Sequence, residues 1–405
     1  MLPFVIGLAV SIGLHEIGHL VPAKLFGVKV TQYMIGFGPT IWSRRRGETE
    51  YGVKAIPAGG FVKIVGMTPQ DDDVAPEDEP RAMWRQPVWK RTIVMAAGSV
   101  THFALAFLIV FGVILVMGKQ NPEASPDTAA AYVTISPCVI VANEDRDCTT
   151  ADPKSPAVQA GLRDGDRIVA LNGVSTPTYT DLVKAIRSTT PGPVQLSYER
   201  DGATRTMDIT LAAVQRAPLD SPDGDATTTS ALGVTNKLPP GVSETVSVGP
   251  GEAVSLSGRA MKDSVANVFV AMKKFPEKVP KLFAALSGEE RDQQTPISVV
   301  GASRLGGETV ERGLWSVFFG ILFGLNLFVG IFNLLPLLPL DGGHIAIAWF
   351  EKVRSWIYAR IGRRDPGRVD YMKLMPITYA VILIFGGFTL HTVAADIVNP
   401  ITLPR

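Results

Sequence analysis

Four long apolar stretches dominate the hydrophobic pattern of the chain. They cover residues 2–28, 92–117, 314–340 and 375–394, each near or above the roughly 20 residues that a helix needs to cross a ~30 Å hydrocarbon core. Buried core helices of a large soluble protein are the alternative, but residues 92–117 carry no charge. The first stretch has no Lys or Arg before it, which favours a retained helix over a signal peptide. The pattern predicts four transmembrane helices.

Basic residues are unevenly divided among the connecting segments. Residues 26–90 contain nine Lys or Arg, and residues 346–373 contain seven. Because basic loops stay on the cytoplasmic side, both segments are predicted to be cytoplasmic and residues 118–313 to lie outside. The expected protein is a multi-pass protein of the plasma membrane.

The outer segment has the composition of a soluble α/β domain over residues 124–214. Alternating residues predict strands at 195–200 and 206–211, and a helix is predicted at 179–188. Residues 155–173, SPAVQAGLRDGDRIVALNG, resemble the PDZ domains of bacterial envelope proteases, and this resemblance implies a groove that binds an extended peptide by strand addition. A folded spacer without a ligand is the alternative.

The rest of the outer segment, residues 215–313, is expected to be a linker followed by amphipathic helices on the outer surface. The two cysteines of the chain, Cys138 and Cys148, lie in the outer domain. An oxidising compartment permits a disulfide between them. Two separate thiols are the alternative, because spacing does not show whether the side chains face each other.

A His-Glu-x-x-His string lies in the first apolar stretch. His15 and His19 share one helix face, where both imidazoles can reach one Zn²⁺ with Glu16 beside it. A chance string is the alternative, but ionisable groups in an apolar span are costly unless they serve a site. A catalytic zinc takes three protein ligands, and Asp341 is the only acid between residues 311 and 351. A helix-capping role is the alternative for Asp341.

These motifs together resemble the site-2 protease family of zinc intramembrane metalloproteases. His-Glu-x-x-His lies in the first span, Pro-Val-Trp-Lys-Arg (residues 87–91) precedes the second, and Asn-x-x-Pro and Leu-Asp-Gly-Gly (within residues 333–343) lie in the third. With a single outer PDZ domain, the layout is similar to that of actinobacterial members. The resemblance implies one Zn²⁺ bound by His15, His19 and Asp341, with Glu16 as the general base. It also implies that Asn333 holds the substrate backbone or the developing oxyanion.

The second span departs from the family pattern. Members often have Gly-Pro-x-x-Asn in the second span, where this chain has Gly-Ser-Val-Thr-His, ending at His102. His102 is a candidate for lining the site, for an extra metal contact or for simple packing. We prefer packing or support of the ligands, because the zinc already has its ligands.

The cytoplasmic segment has alternating stretches at 29–35, 50–56 and 59–65. We expect a membrane-associated β-loop whose edge, at Gly60, Phe61 and Val62, pairs with an unwound substrate strand. A hairpin that merely closes the cavity is the alternative. The family resemblance includes such a loop.

The charge of the chain limits its function classes. A formal net charge of +1 argues against a nucleic-acid partner, since phosphates require a basic excess. The predicted activity is zinc-dependent cleavage, within the lipid bilayer, of single-span membrane proteins such as anti-sigma factors. In this regulated intramembrane proteolysis an upstream site-1-type protease first trims the substrate. The alternative is a catalytically inactive membrane-bound PDZ scaffold or chaperone.

The predicted fold class is a polytopic α-helical membrane protein with four transmembrane helices, a membrane-associated β-loop and one extracytoplasmic α/β PDZ domain. The active site is expected toward the cytoplasmic half of the membrane. The expected boundaries are transmembrane helix 1 with the zinc motif at 1–28, the β-loop at 29–91, helix 2 at 92–117, the PDZ domain at 124–214, the linker and outer helices at 215–313, helix 3 with the Asp ligand at 314–345, a basic cytoplasmic loop at 346–374 and helix 4 at 375–394.

Overall fold

The computed structural model describes residues 1–67, 74–142, 146–220, 225–286, 291 and 295–403, with the backbone alone at residues 57 and 58. Small parts of the predicted β-loop, PDZ domain and linker therefore lie outside the described residues. The chain divides into two compact units. One consists of Met1–Ile114 and Pro250–Leu403, and the other contains Leu115–Gly249.

Helices make up most of the first unit. In chain order the α-helices of the whole molecule are α1 (Leu2–Leu25), α2 (Val88–Met117), α3 (Pro156–Ala160), α4 (Tyr179–Ser188), α5 (Pro250–Leu286), α6 (Val299–Glu311), α7 (Trp315–Asn333), α8 (Asp341–Arg360) and α9 (Met375–Val398). Within the described ranges, α1, α2, α7 and α9 with the short turn before it are long and apolar enough to cross a membrane. They overlap the four predicted spans.

The two longest strands, β1 and β2, form one hairpin. They are β1 (Val30–Arg46), β2 (Thr49–Ile64), β3 (Lys119–Gln120), β4 (Val133–Ile135), β5 (Arg167–Leu171), β6 (Val174–Ser175), β7 (Gly192–Arg200), β8 (Ala203–Arg216), β9 (Thr227–Ala231), β10 (Val234–Asn236) and β11 (Thr245–Val246). The long hairpin of β1 and β2 belongs to the first unit and the other strands to the second.

The third span is shorter than predicted. Helix α7 ends at Asn333, because Pro336 and Pro339 lack the N–H that a continuing helix would need. The chain turns through residues 334–340, and α8 begins at Asp341. This turn requires glycine at position 342, where a Cβ would overlap the carbonyl oxygens of two residues of the turn.

The prediction of a loop at 346–374 is wrong for its first part, because α8 continues to Arg360. Residues 341–360 contain no proline and include many helix-forming Ala, Glu, Lys and Arg residues. The count of basic residues predicts a side of the membrane, but it carries no information about helix formation.

Helix α6 packs between the spanning helices. Phe4 of α1 is fully buried against α6 and meets Phe318 of α7 edge to face at a centroid distance of 6.2 Å. Arg291 and Asp396 form a buried ion pair of 2.6 Å, and Asp396 also accepts from the backbone N–H of Ser298 just before α6. These contacts fix α6 against α1, α7 and α9.

The hairpin of β1 and β2 folds into a small sheet. Residues 30–35 pair with 60–64 on one side and, over 32–35, with 50–53 on the other, while residues 42–46 pair with 49–53. Residues 60–64 therefore form an edge of this sheet. The three predicted strand stretches of the β-loop all lie in it.

The second unit contains a five-stranded antiparallel sheet in the order β6-β5-β7-β8-β9. Its core is apolar, with Ile168, Leu182 and Leu196 almost fully buried. The predicted helix at 179–188 and the strands at 195–200 and 206–211 are present as α4, β7 and β8. Cys138 and Cys148 form a disulfide, with their Cα atoms 5.9 Å apart.

The prediction that the domain ends at residue 214 is wrong. Strand β9 is the fifth strand of the sheet, β10 pairs with β4, and Leu232 between them belongs to the core. The composition of residues 215–250 suggested a linker, yet its run of Thr and Ser with Ala and Leu suits a half-buried edge strand. The structured part of this unit extends to β11, which pairs with β3.

Candidate metal centre

His15 and His19 lie on one face of α1, as their spacing predicts. Their Nε2 atoms are 3.1 Å apart, and the two rings meet edge to face at a centroid distance of 4.7 Å. The exposed fraction is 9% for His15 and 6% for His19. Two ring nitrogens therefore face each other in a buried position.

Asp341 brings a carboxylate to the same place from the first turn of α8. Its Oδ2 lies 3.6 Å from His15 Nε2 and 3.3 Å from His19 Nε2. The partial positive charge of a helix N-terminus stabilises a carboxylate at this position. Across the part of the chain that the structure describes, these side chains form the one group of three possible metal ligands whose atoms all lie within 4.8 Å of one another.

The three donor atoms fit a zinc ion. Tetrahedral ligands with Zn–N and Zn–O distances of about 2.0–2.1 Å are roughly 3.3 Å from one another. The observed separations of 3.1, 3.3 and 3.6 Å are close to that value. Asp341 Oδ2 is also buried without a hydrogen-bond partner, which is costly unless a cation faces it. Two imidazoles and one carboxylate are a common ligand set for a catalytic zinc.

Helix α2 supports the two histidines from the side. His19 Nδ1 donates a hydrogen bond to the carbonyl oxygen of Val94 at 2.7 Å, which directs the Nε2 lone pair toward the other donors. Gly98 lies against both rings: a Cβ there would be 2.5 Å from His15 Cε1 and would overlap His19 Nε2. A Cβ on Gly18 would lie 2.6 Å from a carbonyl oxygen of α2. The two glycines therefore permit the close approach of α1 and α2.

Glu16 lies beside the edge of the β1–β2 sheet. Its carboxylate accepts a hydrogen bond from the backbone N–H of Val62. At Gly60 a Cβ would be 3.2 Å from Glu16 Cγ, so the strand runs close past this side chain. Phe61 lies between Gly60 and Val62 in the strand, and its ring stacks on that of Phe37 at a centroid distance of 6.1 Å. The structure thus brings Gly60, Phe61 and Val62 next to Glu16.

His102 lies on the other side of the centre. Its ring is 4.9 Å from that of His15, and its Nδ1 donates to Asn326 Oδ1 at 2.9 Å. This direction is fixed because the amide Nδ2 of Asn326 already donates to Leu322 O at 2.8 Å and to Ser11 Oγ at 3.2 Å. His102 therefore packs against His15 but is not one of the three side chains whose donor atoms lie close together. This position agrees with a supporting role.

Sequence reasoning missed Asn326 and Ser11. Asn326 is 1% exposed and Ser11 6% exposed, and both lie in apolar spans. A polar amide in the middle of a span is costly unless it has partners, so Asn326 was a signal that could have been followed. Its partner His102 lies 224 residues away, which the sequence pattern does not reveal.

Asn333 is the last residue of α7 and is partly exposed. Its side chain makes no hydrogen bond to any residue in the described ranges. It lies at the start of the turn that leads to Asp341, and its expected role stays a prediction.

Known proteins resemble this chain over most of its length. A family model described as peptidase family M50 matches residues 3–364 of the chain. The chain belongs to this family. This M50 peptidase is 41% identical to the zinc metalloprotease Rip1 of Mycolicibacterium smegmatis over 407 residues, which cover 99% of the chain and 97% of the relative. It is 39% identical to Rip1 of Mycobacterium tuberculosis over 403 residues, with the same coverage.

The predictions of the site-2 protease family, of an enzyme and of zinc are thereby confirmed. The M50 peptidase is a zinc metalloprotease and a multi-pass membrane protein. Among solved structures, the PDZ domain of an SdrC-like protein from Listeria monocytogenes is similar to part of the chain. That match has 18% identity and a TM-score of 0.17, and it covers 27% of this chain and 90% of the other. The score is too low to support an argument about the second unit.

Proposed function

We propose that this metalloprotease cleaves the transmembrane segments of single-span membrane proteins inside the bilayer. The observation that carries the proposal is that Asp341 of α8 meets His15 and His19 beside Glu16 of the apolar spanning helix α1. His15 lies 13 residues after the start of α1, or about 20 Å along the helix at 1.5 Å per residue. A site at that depth is within the hydrocarbon region.

The proposed ligands are His15, His19 and Asp341. A bound zinc ion would supply polarisation of the scissile carbonyl and activation of a water molecule. Glu16 takes a proton from the attacking water onto its carboxylate and later gives it to the amide nitrogen of the leaving peptide. The Val62 N–H holds that carboxylate in position. We assign Asn333 to the substrate backbone or the developing oxyanion.

The substrate is bound as an extended strand. A transmembrane helix hides its carbonyl groups in its own hydrogen bonds, so cleavage requires local unwinding. Residues 60–64 form a sheet edge, and this edge passes Glu16. A substrate strand that pairs with Gly60, Phe61 and Val62 has its scissile bond next to the three donors.

The orientation follows from the basic residues. We propose that the β1–β2 sheet and α8 lie on the cytoplasmic side of the plasma membrane and that the second unit lies outside. The disulfide in the second unit agrees with an oxidising compartment. In this orientation the metal centre lies toward the cytoplasmic half.

We propose that the second unit acts as a PDZ domain that selects substrates. A cavity of about 680 Å³ lies beside α4, between Leu182 and Ile186 of that helix and the backbone of residues 230–234. An extended peptide fits such a groove. The class of substrate that we propose is anti-sigma factors trimmed by an upstream site-1-type protease, as in regulated intramembrane proteolysis.

Mapping the cleaved bond tests the proposal. Full-length protein and a model single-span substrate are placed in vesicles, and the products are identified by mass spectrometry with and without a zinc chelator. We expect chelator-sensitive cleavage at a bond inside the apolar segment of the substrate. Cleavage confined to the exposed flanks of the segment would contradict intramembrane proteolysis, although the protein would remain a zinc protease.

A further inference from the structure

The second half of α8 exposes large apolar side chains at helical spacing. Trp349, Phe350, Val353, Trp356 and Ile357 have exposed fractions between 44% and 57%. Their spacing places them on one side of the helix. A contiguous exposed stripe of this kind marks an interaction surface.

Basic residues border this apolar stripe. They are Lys352, Arg354, Arg360, Arg363, Arg364 and Arg368. The guanidinium groups of Arg354 and Arg360 lie over the rings of Phe350 and Trp356, at 5.4 and 4.4 Å from the ring centroids. Among the described residues, Lys352, Arg360, Arg363 and Arg364 form no ion pair.

The two acidic groups in the same stretch are already engaged. Glu351 binds Arg91 at 3.0 Å and accepts from the backbone N–H of Val369. Asp365 accepts from Ser355 Oγ at 3.0 Å and from the backbone N–H of Gly367. No free carboxylate in residues 349–368 therefore competes with an external anion for the basic side chains. The contact between Asp365 and Ser355 also folds the loop after α8 back along the helix.

Contacts with the start of α2 indicate how deep in the membrane this surface lies. Trp349 Nε1 donates to Thr92 Oγ1 at 3.0 Å, and Arg368 lies 4.9 Å over the ring of Trp84, which precedes α2. The second half of α8 therefore lies level with the end of a spanning helix. Since α8 connects the consecutive spans α7 and α9, its second half lies at one face of the bilayer. Aromatic rings at that level sit among the lipid headgroups.

We propose that this surface, formed by the apolar stripe of α8 and basic residues 352–368, binds the phosphate headgroups of anionic phospholipids. The rings enter the interface and the guanidinium groups bind phosphate, a pairing that suits clustered basic residues beside a membrane-surface helix. The occupant is the bilayer itself, because unpaired positive charge and aromatic rings coincide at headgroup level.

Quenching of Trp356 fluorescence by brominated lipids tests the proposal. Full-length protein is placed in phosphatidylcholine bilayers that contain increasing fractions of brominated phosphatidylglycerol or brominated phosphatidylcholine. The signal of Trp356 is obtained by subtraction of a Trp356→Phe variant. We expect half-maximal quenching at an at least fivefold lower fraction of the anionic lipid, since each basic group near an anionic surface contributes about a fivefold preference.

Two triple variants, each lacking three positive charges, test the role of the basic residues: one changes this surface and the other is its matched control. The triple variant Arg360→Gln/Arg363→Gln/Arg364→Gln should lose the preference, whereas the control Lys184→Gln/Arg205→Gln/Lys237→Gln in the second unit, with three exposed basic residues, should keep it. High salt should weaken the preference of the wild type. Equal quenching by the two lipids in the wild type would overturn the proposal. So would an unchanged preference in the first triple variant, because the preference would then not come from these basic residues.

Discussion

The close contact between α2 and the metal centre predicts a strong effect of a single methyl group. In a Gly98→Ala variant, the new Cβ would lie 2.5 Å from His15 Cε1 and would overlap His19 Nε2. Carbon atoms pack at about 3.5–4.0 Å, so the ring or the helix must move by about 1 Å. Zinc ligands tolerate shifts of only about 0.2 Å. We expect roughly 100-fold weaker zinc affinity and a similar loss of activity.

Helix propensity predicts that the same substitution increases the stability of the fold. Replacing Gly by Ala inside a helix stabilises the helix by up to about 1 kcal/mol. Gly112 of the same helix has no heavy atom within 4 Å of an added Cβ, so Gly112→Ala is the matched control. It should bind zinc as the wild type does. Competition with a chelator of known affinity, combined with thermal unfolding, separates the two effects.

The expected pattern is specific to Gly98. Its alanine variant should fold and lose zinc, while the Gly112 variant should fold and keep it. Zinc affinity within threefold of the wild type in Gly98→Ala would refute the close packing of α2 against His15 and His19.

Three further predictions concern other parts of the structure. Asp341→Ala should reduce bound zinc from one ion per chain to almost none by elemental analysis, and retained stoichiometric zinc would mean that the third ligand lies elsewhere. Asn326→Leu frees His102 and should weaken zinc affinity by about 10- to 100-fold in chelator competition, whereas an unchanged affinity would disconnect this pair from the centre. Burial alone would raise the pKa of Asp166, but hydrogen bonds from Arg200 hold that pKa below its usual 3.8. Because the pKa of Asp166 is lowered in the folded state, this ion pair stabilises the fold above pH 3.8 and loses its effect as the pH falls below that value. The amides of β5 and β7 should therefore exchange more slowly in the wild type than in an Arg200→Gln variant down to pH 3.8, and the difference should disappear at lower pH. Protection that is independent of Arg200 at neutral pH would contradict this pairing.

The helix period was enough to predict the first half of the site. Two histidines four residues apart on a helix must share a face, whatever the rest of the chain does. Asp341 is predicted as the third ligand because it is the only acid in a long apolar region, where an uncompensated carboxylate is costly. Both arguments use local sequence alone, and the structure brings the three side chains together.

The supporting residues could not be predicted in the same way. Gly98 matters because α2 crosses α1 at that point, and a glycine carries no sign of what approaches it. The pairing of His102 with Asn326 joins α2 to α7, and neither residue belongs to a periodic pattern. Such contacts depend on how the helices pack, which the motifs do not encode.

Two segments form regular structure that their composition does not indicate. The Thr and Ser residues of β9 are typical of a linker, although β-branched Thr also suits an edge strand. The charge of the basic stretch after residue 346 predicts a cytoplasmic loop, whereas α8 continues to Arg360. In both cases the residues permit regular structure, and long-range pairing or the absence of proline decides the outcome.

The most direct test of the account removes the proposed base and keeps the metal. In a Glu16→Gln variant, His15, His19 and Asp341 are unchanged, so one zinc ion per chain should remain bound. Cleavage of a single-span substrate in vesicles should fall by about 10²- to 10⁴-fold, because the amide cannot take up the proton. Zinc-loaded Glu16→Gln protein that cleaves the substrate at the wild-type rate would contradict the account.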